Sequence, residues 1–122
     1  KTLLASLEPE ELQRRLEGVT LEAITDNTIT DPSDLSMELE LIRHRGYGED
    51  REEYLIGCRC VAMPIHDRNG SVVAAMSVSV PTPRFNPKLE RVIHTELRRS
   101  ILDLEERLGA ADRAEAGDPA DS

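Results

Sequence analysis

The most constraining stretch of this chain is a pair of alternating segments joined by a turn: Cys58 to His66, then Asp67-Arg68-Asn69-Gly70, then Ser71 to Val80. Side-chain character alternates with period two in both segments, which is the period of a strand. Asn-Gly between two such runs is the strongest short hairpin signal. Val61, Met63 and Ile65 fall on one face of the first strand, and Cys58, Cys60, Ala62 and Pro64 on the other. On the second strand Val72, Ala74, Met76, Val78 and Val80 share a face, and Ser71, Val73, Ala75, Ser77 and Ser79 share the opposite one. A two-residue Asn-Gly loop pairs Arg68 with Ser71, and so sets Cys60 opposite Ser79 and Ala62 opposite Ser77. A four-residue loop sets Cys60 opposite Ser77 and Cys58 opposite Ser79. A three-residue loop breaks the match, because a one-residue slip sends side chains to opposite faces.

One face of this hairpin is Val, Ile and Met and reads as core. The other carries Cys60, Ala62, Ala75, Ser77 and Ser79, all small. Small residues on a covered face leave volume unfilled, and voids are unfavourable. A ligand would fill that volume, oriented by serine hydroxyls and backbone groups. The alternative is that these strands pack closely on a helix or face water. Asp50 lies in the acidic run Glu49-Asp50-Arg51-Glu52-Glu53, which reads either as a solvated loop or as a flap placing Asp50 over the pocket mouth. There its carboxylate would accept a charge-assisted hydrogen bond from a ligand hydroxyl or amine.

Cys60 has two sharper readings. A nucleophile needs a base to generate thiolate, and His44, His66 and His94 stand in no recognisable motif. A metal ligand would pair with Cys58, but no second Cys pair and no His-x-x-x-His completes a tetrahedron. Close packing of a small residue competes with both. No catalytic residue, metal site or cofactor is called for. His66 falls at a strand end and His94 on a helix surface. Arg84, after Pro81-Thr82-Pro83, is placed to pair with the acidic loop or, alternatively, to stand solvated after a proline-rich turn.

The remaining chain reads mainly as helix. Thr2 to Leu7 has the pattern of a helix end. Pro9 fits the first position of a helix running to Glu17, stopped by Gly18. Residues 19–30 are mixed loop, with a turn near Leu21 to Ile24. Asp31-Pro32 caps a helix carrying Leu35, Leu39 and Ile42 and ending at Gly46, after which Tyr47 to Glu49 begins an extended segment. Asn86-Pro87 opens a last helix with an apolar stripe of Leu89, Ile93, Leu97, Ile101, Leu104 and Leu108, closed by Gly109. Residues 110–122, rich in Ala, Asp and Glu, read as a disordered acidic tail. The net charge of −9 over 122 residues argues against duplex binding by this chain, which shows no basic stripe. No apolar run is long enough to span a membrane, and cytoplasmic residence is the expectation. The start at Lys1-Thr2-Leu3-Leu4, inside an apolar pattern and without Met, reads as that of a fragment.

Arg45-Gly46-Tyr47, Asp50, Glu53-Tyr54, Gly57-Cys58-Arg59-Cys60-Val61-Ala62, Pro64, and Ser77-Val78-Ser79 followed by Pro81 and Arg84 resemble the C-terminal effector-binding domain of the isocitrate lyase regulator (IclR) family of bacterial transcription regulators. The similarity runs from Lys1 through Thr28-Ile29-Thr30 to the last helix near Leu108. The resemblance implies an α/β domain of the α+β type with a GAF-like fold, a curved antiparallel sheet flanked by helices, over residues 1–109. It implies a ligand-sensing regulatory domain for a small-molecule effector, often an organic or aromatic acid, bound at Asp50, Cys60, Ser77 and Ser79. It also implies promoter DNA bound only by an N-terminal winged helix-turn-helix outside this chain, and assembly as a homodimer or homotetramer. Val80 stands where the family usually has glycine, and the first strands of the family's effector domain have no counterpart here.

Overall fold

Local signals set most helix ends. The computed structural model describes residues 1–116, and the side chains of residues 1–109. Helix α1 spans Thr2–Ala5 and α2 spans Pro9–Leu16, with proline in its first turn. Helix α3 spans Pro32–Arg45. Asp31 caps it by accepting from the Ser33 amide at 2.7 Å, and Gly46 ends it in the left-handed region at φ 84°, where a Cβ would be strained. Strands β1 (Gly48–Arg51), β2 (Cys58–His66) and β3 (Val72–Pro81) follow. A 3-10 turn over Thr82–Arg84 leads into α4, Pro87–Ala116.

The strands form one antiparallel sheet in the order β1-β2-β3. This is the α+β arrangement expected, an antiparallel sheet flanked by helices. One face packs on α4, where Val61, Met63, Ile65 and Val80 meet Ile93, Leu97 and Ile101. Helix α1 contacts the sheet from β2 and β3 and packs on α3. There Ala5, Leu35, Leu39 and Ile42 form a second buried cluster, with Leu12 and Leu16 of α2 at its edge.

Two expectations are corrected here. The hairpin turn is a three-residue loop, neither the two-residue nor the four-residue loop that keeps the faces matched. Asp67 N donates to Ser71 O at 2.9 Å and Gly70 N to Asp67 O at 3.0 Å, with Gly70 at φ 83°. Such a loop would invert the face pattern, but the pairing shifts between Ile65 and His66. Ile65 faces Ala74 and His66 faces Val72, so Val73 is the extra residue of a bulge. The bulge adds back the residue the loop removed, and Cys60 meets Ser79 while Ala62 meets Ser77, as the two-residue reading required. The second correction concerns Gly109, which is buried within α4 and does not stop it. One interior glycine costs a helix only about 1 kcal/mol, and Ala110-Ala111 after it are the strongest helix formers. The expected disordered tail is therefore helical to Ala116; its remainder, residues 117–122, lies outside the described residues.

Candidate functional site

Two cross-strand rows build the site. Asp50, Cys60 and Ser79 lie side by side on β1, β2 and β3, and Gly48, Ala62 and Ser77 form the next row on the same face. Neighbouring strands are about 4.8 Å apart, so each row brings its side chains together from three separate chain segments. Asp50 thus belongs to a strand, not to the acidic loop in which the sequence reading placed it. The loop begins just after it, at Glu52.

A concavity of about 430 Å³ opens over these rows. Asp50, Cys60, Ala62 and Ser77 form its floor; Thr2 of α1, Ile24 and Thr28 of the preceding loop, and Tyr54 stand around it. It is open-sided, not an enclosed hollow, since Ser77 and Tyr54 are exposed. Ser79 is outside the lining and shares a hydrogen bond with Cys60 Sγ at 3.2 Å. Gly48 makes this geometry feasible. A Cβ there would lie 2.5 Å from Thr2 Oγ1, so only glycine lets α1 approach the sheet this closely.

The rim is held by side-chain bonds to backbone. Asp50 Oδ1 accepts from the Glu53 amide at 2.8 Å, which turns the chain back after β1 and leaves Oδ2 for another donor. Glu52, at φ 60°, receives the Gly57 amide at 2.7 Å and the Thr82 hydroxyl at 3.1 Å on Oε1. Thr25 Oγ1 donates to Glu52 O at 2.6 Å and Thr28 Oγ1 donates to Glu53 O. Lys1 Nζ reaches the Glu53 carboxylate at 2.8 Å. Arg84, expected to pair with this loop, is exposed and forms no salt bridge among the described residues. Thr82, in the same 3-10 turn, makes the link in its place.

Both cysteines are free thiols. Desolvation and the adjacent Cys60 push the Cys58 thiol above its ordinary value, the opposite of an activated nucleophile. The histidines are engaged elsewhere. His66 Nδ1 lies 3.1 Å from Glu105 Oε2, and His44 is exposed beside Glu40. His94 is not on the helix surface, as its sequence position suggested. It is half-buried, edge-on to the Tyr47 ring.

Thr2, Thr25 and Thr28 are the participants that sequence reasoning missed as site builders. Thr28-Ile29-Thr30 did mark part of this segment, but nothing local to it names the residue 52–53 carbonyls as partners.

A family model described as "Bacterial transcriptional regulator IclR C-terminal" matches residues 1–105. The HTH-type transcriptional regulator KdgR of Escherichia coli is 42% identical over 103 residues, covering 81% of this chain and 39% of that protein. The crystal structure of the C-terminal domain of E. coli KdgR superposes with a TM-score of 0.83 at 37% identity, covering 88% of this chain and 66% of the other. The inducer binding domain of an Acinetobacter PobR double mutant, crystallised with 3-hydroxybenzoic acid, has a TM-score of 0.79 at 28% identity, covering 85% of this chain and 60% of the other. The chain thus spans about two fifths of the length of KdgR. The sheet and these matches agree: the chain belongs to the IclR family of bacterial transcriptional regulators, as the C-terminal, effector-binding part.

Proposed function

We propose that residues 1–109 sense a small organic or aromatic acid bound in the concavity over Asp50, Cys60 and Ser77. The observation that carries this reading is the concavity itself. Its size, about 430 Å³, falls within the range of small-molecule sites, and its floor is small and polar where the opposite face of the sheet is packed solid. Ser77 donates to a ligand carboxylate or carbonyl, and Ser79 supports it through Cys60. Asp50 Oδ2 accepts from a ligand hydroxyl, and Cys60 supplies a weakly polar wall. A molecule with a carboxylate at one end and a hydroxyl at the other suits this polarity. The PobR domain crystallised with 3-hydroxybenzoic acid supports that class of ligand.

In the whole protein, binding shifts the population between two arrangements of this domain and its neighbours, by no more than the ligand's differential affinity for them. Promoter DNA is contacted by an N-terminal winged helix-turn-helix, and the protein assembles as a homodimer or homotetramer in the cytoplasm. No residue here performs catalysis.

The test is calorimetry with hydroxylated aliphatic and aromatic carboxylates, 3-hydroxybenzoate among them. A binding acid raises the melting temperature of the chain. Ser77→Ala with Ser79→Ala lowers its affinity about tenfold or more while leaving the unliganded melting temperature unchanged. Equal affinity in the double variant overturns the assignment.

A further inference from the structure

A second group of ligating side chains sits on the α4 face of the sheet, across from the concavity. Glu90 and His94 are four residues apart on α4, a spacing that stacks them on one helix face. Glu49 reaches them from β1; next in the chain to Asp50, it points to the other side of the strand. One ligand atom from each of the three lies within 4.8 Å of the others.

Each of the three keeps a ligand atom that its neighbours leave unpaired. His94 Nε2 is buried and has no hydrogen-bond partner, while its ring is braced edge-on by Tyr47, centroids 4.4 Å apart. Glu49 is 7% exposed, yet both Arg51 nitrogens that reach it take the same oxygen, Oε2, at 2.8 and 2.6 Å. That leaves Oε1 uncommitted. The Glu90 carboxylate enters no salt bridge among the described residues. Direct hydrogen bonds do not close the triangle; donors held at about 2.0–2.2 Å by one ion stand a little over 3 Å from each other, so side chains within 4.8 Å of one another must draw in on the ion as it binds.

We propose that Glu49, Glu90 and His94 bind a divalent first-row transition ion through two carboxylate oxygens and the imidazole Nε2. The two carboxylates offset the ion's charge. Arg51 orients Glu49 from the outer shell, as hydrogen-bonded partners of ligating carboxylates do. An imidazole with so few oxygen donors suits zinc or its neighbours better than calcium or magnesium. A shallow depression bordered by Pro87, Glu90 and His94 gives access from solvent, and water completes the coordination. The bound ion clamps β1 against the start of α4, one residue from Asp50.

The experiment is calorimetric titration of the chelator-treated 122-residue chain with zinc chloride, with magnesium chloride as control. One saturable zinc site per chain is expected, weakened at least about tenfold in Glu90→Gln and in His94→Gln and retained in Cys58→Ser with Cys60→Ser. Cobalt should give visible bands without a thiolate charge-transfer band. Where His94→Gln fails to fold, Glu90→Gln at the rim decides. The proposal is overturned by an absence of saturable zinc uptake, by unchanged affinity in Glu90→Gln, by magnesium binding as tightly as zinc, or by loss of uptake with the cysteine variant.

Discussion

The two faces of the β2–β3 hairpin are made from the same strands and end in opposite conditions. On the α4 face, Val61, Met63 and Ile65 are at most 5% exposed and interlock with Ile93, Leu97 and Ile101. On the other face, Cys60 and Ala62 stay half-buried and Ser77 and Ser79 exposed, although α1 lies across it. The difference is side-chain volume. Branched residues fill the space between sheet and helix to crystal-like density, whereas Ala and Ser end before they reach the opposing wall. One face thus holds the domain together, and the other leaves an open concavity over Asp50, Cys60 and Ser77.

The comparison breaks most readily on the packed side. Leu97→Ala should lower unfolding free energy by about 2–5 kcal/mol, measured by urea denaturation, without altering effector affinity in the folded fraction. Next comes Gly48→Ala, whose methyl group meets Thr2 Oγ1 at 2.5 Å. It should cost about 1–3 kcal/mol and weaken effector binding as well, because α1 must retreat from the concavity. Ala62→Leu should change stability by less than about 1 kcal/mol, since the added atoms enter open space, yet abolish effector binding by calorimetry. Equal stability loss for Ala62→Leu and Leu97→Ala would mean that both faces are packed. The smallest effect concerns Cys58. Its thiol is pushed up from the ordinary value of 9.0, so less thiolate is present at any given pH in the folded chain than in the unfolded one. Iodoacetamide should alkylate Cys58 more slowly in the native chain than in urea at pH 8, followed by peptide mass spectrometry, and the gap should narrow as the pH rises past 9.0. By the same sign, the folded state loses stability as pH climbs through the raised value.

Which residues share the candidate site's face was legible because a strand's period is two. Cys60, Ser77 and Ser79 fall on one face under any register of the correct parity, and the Asp31 cap and Gly46 stop bounded α3 from local chemistry alone. Asp50 was legible as a candidate, but its place was not. A four-residue strand such as Gly-Glu-Asp-Arg has no apolar alternation to announce it, and it exists because β2 offers a partner edge. The three-residue turn and the Val73 bulge compensate one another, so the parity holds although neither loop length that preserves it unaided is the one formed. Gly109 misled because a helix stop and a tolerated interior glycine look alike in one sequence.

What the order of residues determined by itself was the local part: strand period, helix caps, the turn, and which side chains share a face. Each follows from backbone geometry within a few positions. Only the tertiary structure decided what depends on distant partners. It set Thr25 and Thr28 on the carbonyls of Glu52 and Glu53, laid Thr2 over Gly48, and brought Glu49 to Glu90 and His94. These contacts join segments whose approach is set by burial of the two cores, and no local propensity encodes that approach.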